Sequence, residues 1–89
     1  ALAARLGIDF LNDMRQVVIA DVRKGSVAED AGLKSDQVIS AVGGRAVRSP
    51  RDMLTSMIEQ GILDGKALDL TVRDPGSSDE RTVRMRLGR

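Results

Sequence analysis

The chain has 89 residues, 42% of them hydrophobic and 30% charged, with fourteen basic residues against thirteen acidic ones and a formal net charge of +1. That length supports one core, and scattered, balanced charge with a single aromatic residue, Phe10, offers neither a basic stripe nor a stacking platform for nucleic acid. The chain contains no His and no Cys, which removes the usual general base, the usual soft and imidazole metal ligands, the nucleophile triads and any disulfide; no catalytic residue, no metal and no cofactor is expected.

No apolar run approaches the ~18 residues needed to span a bilayer, so the domain itself is expected to make no membrane contact. Ala1 to Arg5 lacks a signal-peptide layout. Residues 1–89 therefore read as one domain taken from a longer protein.

In chain order, Leu6, Ile8 and Phe10 alternate around Gly7 and Asp9, a short strand signal. A polar turn over Asn12 to Gln16 leads to Val17–Val22, a near-continuous apolar run that predicts a strand buried on both faces. Gly25 breaks that strand. Ser26 is placed to cap a short helix with Glu29 at the third helical position, as in a capping box, and Gly32 is placed to end it. Lys34 to Gln37 reads as a turn, Gln37 to Val42 as a strand, and Gly43-Gly44 as a tight hairpin turn into Ala46-Val47.

Ser49-Pro50 marks a second helix start and Gly61 its end. Between them Met53, Leu54, Met57 and Ile58 recur at helical spacing, an apolar stripe wide enough to serve a core and something beside it. Ala67 to Val72 predicts a strand, Asp74 to Ser78 a hairpin loop, and Thr82 to Leu87 a closing strand. The order predicts an α+β domain, a small partly open barrel or sandwich of five to six strands capped by two helices. Arg81, Arg84, Arg86 and Arg89 form the densest basic stretch, and their alternation with apolar residues reads as the solvated face of a strand.

The carboxylates are spread along the chain, and Asp30 with Asp36 lacks calcium-loop spacing. A different feature suggests function. In Arg5-Leu6-Gly7-Ile8, a Gly between apolar residues lets successive backbone amides turn outward as a nest for a carboxylate, although a strand Gly is also a common bulge or packing point.

The block Gly25-Ser26-Val27-Ala28-Glu29-Asp30-Ala31-Gly32-Leu33, followed by Val38 to Val42, Gly43-Gly44 and Arg45-Ala46-Val47, closely resembles the PDZ family in its bacterial, protease-associated form. That form belongs either to HtrA-like serine proteases or to membrane-embedded site-2 metalloproteases. Three features depart from its pattern. Val27 stands where the family has Pro, Asp36-Gln37 where it has Gly-Asp, and Gly43 where it commonly has Asn. The last is expected to be an interchangeable choice for a positive-dihedral turn, and the second to reshape its turn, since Asp accepts left-handed dihedrals less readily than Gly.

The resemblance implies capture of an extended, apolar peptide or protein C-terminus by strand addition to Ile8–Phe10, beside the longer helix. Leu6, Gly7 and Ile8 would present amides to the terminal carboxylate, with Arg5 adding charge at the rim. Phe10, Leu54, Met57 and Ile58 would line the groove, with Pro50 at its upper end. Met53 is expected in the core, and Met57 is open between core and groove. Pro50 at the helix start, where some members carry His, implies a purely apolar preference. The resemblance also implies a periplasmic or otherwise extracytoplasmic bacterial setting and a non-catalytic role within a protease, with a membrane-anchored or oligomeric parent. The alternative is a docking or assembly domain of a secretion-system or other envelope complex. Substitution of Gly7 by Val is expected to abolish binding at modest cost in stability.

Overall fold

A computed structural model describes residues 2–12 and 15–87. The chain forms α1 (Leu2–Leu6), β1 (Ile8–Phe10), β2 (Val17–Val22), α2 (Val27–Asp30), β3 (Val38–Val42), β4 (Arg45–Ala46), α3 (Pro50–Glu59), a 3-10 turn (Ile62–Asp64), β5 (Leu68–Arg73) and β6 (Glu80–Met85). The polar turn expected over Asn12 to Gln16 includes Asp13 and Met14, which lie outside the described residues, as does Arg89.

The strands make one antiparallel six-stranded sheet in the order β1-β2-β3-β5-β6, with β4 paired to β3. β2 divides its pairing. Val17 and Val18 lie opposite Ile39 and Val38, whereas Ile19, Asp21 and Val22 lie opposite Phe10, Asp9 and Ile8 across a register shift. Its first three residues are buried, but Asp21 is exposed and Ala20 and Val22 are only partly buried, so the expected burial on both faces holds for the first half of the strand alone. β5 alternates cleanly, with Leu68, Leu70 and Val72 turned into the core. The outward face of β5 and β6 carries the exposed pair Arg84–Asp69 at 3.5 Å, whereas Arg81 lies opposite Val72, on the other face, and pairs with Asp74 beyond the end of β5 at 3.1 Å; the basic residues are thus exposed, as expected, but do not share one face.

Both long-expected helix starts form through their caps. Ser26 Oγ accepts from Glu29 N–H at 3.1 Å and Ser49 Oγ accepts from Asp52 N–H at 3.0 Å. The acidic side chain reaches back one residue further than in the usual box: Glu29 accepts from Gly25 N–H at 2.7 Å and Asp52 from Arg48 N–H at 3.0 Å. α2 then closes in a Schellman motif, with Leu33 N–H donating to Ala28 C=O at 3.0 Å and Gly32 N–H to Glu29 C=O at 2.9 Å.

Met53, Ser56 and Met57 form the buried face of α3, packed with Ile39, Val42, Ile62, Leu70 and Met85 in a single core. The end of α3 is clasped to β3 by Gln60, whose Nε2 donates to Val42 C=O and Ser56 Oγ, both at 2.9 Å. This corrects the expectation for Gly43, because a Cβ there would run into the Gln60 amide oxygen. Asp36, in the turn before β3, takes the left-handed conformation that Gly accepts more readily. It holds φ at +73° and is the one non-Gly residue with positive φ among those described.

Candidate functional site

Among the described residues β1 has one neighbour, β2, and so forms an edge of the sheet. Gly7 C=O accepts from Arg23 N–H at 2.8 Å and Leu11 N–H donates to Val18 C=O at 2.9 Å, so the odd-numbered residues of this segment direct their backbone groups toward β2. Strand alternation turns those of Ile8 and Phe10 outward, toward the open side. The side chains follow the other alternation: Ile8 is buried and Phe10 partly buried against the core, while Asp9 is exposed on the opposite face.

α1, which the sequence reading takes as part of the first strand, ends at this edge. Its five residues are too few for a helical period to stand out, and its last, Leu6, falls into step with Ile8 and Phe10. Gly7 breaks it with φ at +83° and donates its N–H to Ala3 C=O at 2.9 Å. Of the expected nest, the Gly7 amide is thus engaged as a helix cap. A Cβ at Gly7 would collide with the Ser26 side chain, the cap of α2. The expectation that Gly7→Val costs little stability therefore fails, for reasons of both dihedral and space.

Leu6 and Met57 are fully buried, and Ile8 is nearly so; these side chains belong to the core. Arg5 is exposed on the last turn of α1. Pro50, Leu54 and Ile58 recur every four residues and share a strip of α3 beside its buried face; Pro50 and Leu54 are partly buried and Ile58 is 47% exposed. Two further apolar residues stand out from the surface without having been expected there, Leu11 at 46% and Leu63 at 50% exposure. Leu11 carried a signal, since it extends the apolar run past Phe10 out of alternation. An open cleft elsewhere, between α2 and the end of β6, is lined by Val27, Asp30, Ala31, Arg84, Met85 and Arg86 and includes none of the expected site residues. Among the described residues no group of three or more acidic residues is arranged to hold a metal ion, and no helix is long and apolar enough to cross a membrane.

An antiparallel strand edge and a helix with a partly exposed apolar strip are features of modules that bind extended peptides. Residues 18–74 match the PDZ domain family, and the chain belongs to that family of non-catalytic peptide-binding modules. Pro50, Leu54, Met57 and Ile58 lie inside the matched span, whereas Arg5 to Phe10 precede it. Among solved structures the chain is similar to a photosystem II D1 C-terminal processing protease, with a TM-score of 0.67 and 25% identity over 91% of this chain; it spans 22% of that chain's length. A search of curated proteins gives no match.

Proposed function

We propose that the domain captures an extended, apolar peptide C-terminus by strand addition to β1 and thereby recruits substrate to, or regulates, an extracytoplasmic bacterial protease of which it is one domain. The observation that carries the reading is the unpaired outer side of β1, where Ile8 and Phe10 offer backbone groups directly after the positive-φ Gly7. Backbone pairing supplies affinity for any extended chain, and the partly exposed Phe10, Leu54 and Ile58 supply apolar preference. Pro50 bounds the strip at the start of α3, Leu6 to Ile8 with Arg5 receive the carboxylate, and the buried Met57 forms the floor. A parent that handles C-terminal tails is supported by the printed name of the similar solved protein; HtrA-like and site-2 parents, membrane-anchored or oligomeric, remain within the proposal.

A second reading, a docking domain in an envelope assembly, is favoured by one contact: Gly7 N–H is already satisfied by Ala3 C=O. The two readings separate on titration with a dye-labelled apolar peptide and its C-terminally amidated twin, followed by backbone amide shifts. Binding that is lost on amidation, with shifts centred on residues 6–10, supports carboxylate capture. Equal binding of both peptides supports docking. Absence of binding, or shifts confined to residues away from β1 and α3, overturns strand addition.

A further inference from the structure

Resting on strand addition to β1, we infer that Asp9 sets a preference for a cationic residue at the penultimate position of the bound peptide. Asp9 lies directly opposite Asp21, so two carboxylates share one row on the solvent face of the β1–β2 ladder, an arrangement that like-charge repulsion disfavours. The register shift in β2 begins only after this pair, so it leaves the row intact. Arg23 Nη2 reaches Asp9 Oδ1 at 3.3 Å, with both side chains about half exposed, at 55% and 51%. One guanidinium thus faces two carboxylates, and the row keeps a net negative charge.

A strand added to the open side of β1 extends that row. With its terminal residue beside Ile8, its penultimate residue lies beside Asp9, and the two side chains emerge on the same face about 5 Å apart. Ile8 and Phe10 point to the other face, so they read the terminal residue and the one before the penultimate. A Lys or Arg at the penultimate position places a cation on the ligand side of Asp9, opposite the side Arg23 occupies, and a Glu there adds a third carboxylate to the row.

The test uses two dye-labelled peptides with the same apolar terminus and either Lys or Glu at the penultimate position, followed by fluorescence anisotropy. The chain has neither Trp nor Tyr, so the dye reports without interference. The Lys peptide is expected to bind about fivefold more tightly at about 0.05 M salt, with the ratio falling toward one at about 0.5 M. D9N is expected to bring the low-salt ratio close to one, and D9K to invert it, while both variants keep amide shifts at β1 on saturation with the Glu peptide. A wild-type ratio of one with shifts at β1 overturns this inference and leaves strand addition standing. A ratio that survives D9N overturns it as well. Failure of both peptides to shift β1 overturns strand addition itself.

Discussion

At Asp36 the backbone holds a left-handed conformation, and an L-residue with a Cβ meets steric cost there that Gly does not. The turn survives because its backbone groups are used. Asp36 N–H donates to Ile19 C=O at 2.8 Å, and Ile19 N–H donates to Gln37 C=O at 2.9 Å, which prolongs the β2–β3 pairing. The neighbouring Gln37 is 1% exposed, and its amide accepts from Lys34 N–H and donates to Asp74 Oδ1, both at 2.9 Å. Asp36→Gly is expected to stabilise the domain by about 0.5–1 kcal/mol, since relief of the dihedral outweighs the added freedom of the unfolded chain. A urea midpoint that rises with an unchanged slope checks this; a lower midpoint contradicts it. The sequence marks Asp36 as a departure, but the burial of Gln37 is invisible there, because its partner Asp74 lies on another turn of the chain.

Helix ends were the most legible elements, because their chemistry is local. Ser26, Ser49, Pro50, Gly32 and Gly61 each act within a few residues, and each stands where its spacing predicts. Elements too short or too polar for a period were not legible. α1 merges with the β1 alternation, the 3-10 turn at Ile62–Asp64 lacks a repeat, and β6 begins at Glu80 because Arg73 pairs with it across the hairpin, a long-range reason. The Gly43-Gly44 turn was legible in its dihedrals but not in its contact with α3. Gly43→Asn, which restores the residue common in the family, is expected to cost about 1 kcal/mol because Gln60 must give up its hold on Val42. Thermal denaturation of G43N beside Q60A tests the mechanism: the two losses should fall well short of additive, and full additivity would mean that Gly43 acts independently of the clasp.

Across the molecule, the α+β class and strand count followed from composition and periodicity, whereas the sheet edge did not. Which strand lacks a second neighbour depends on β2 splitting its partners, and that split is a property of register. Of the nine residues proposed for the site, the split of α3 into a buried face and an adjoining strip is what sorts Met57 from Leu54 and Ile58. Hydrogen exchange should follow the same layout. Amides of β3 and β5, flanked on both sides and carrying the fully buried Ile39, Val42, Leu70 and Val72, are expected to exchange slowest. Ile8 and Phe10 are expected to exchange far faster, and protection of Ile8 equal to that of Ile39 would mean that the edge is covered.

The cap at Gly7 has a consequence for how capture is observed. A carboxylate that takes the Gly7 N–H must take it from Ala3 C=O, so occupancy and the last turn of α1 are linked thermodynamically, and each weakens the other by the same factor. The carbonyl that is released belongs to a residue one helical turn before Gly7. Its carbon chemical shift is therefore a silent witness: movement at Ala3 on saturation marks a carboxylate held by Gly7, and stillness there marks a ligand held without the Gly7 amide.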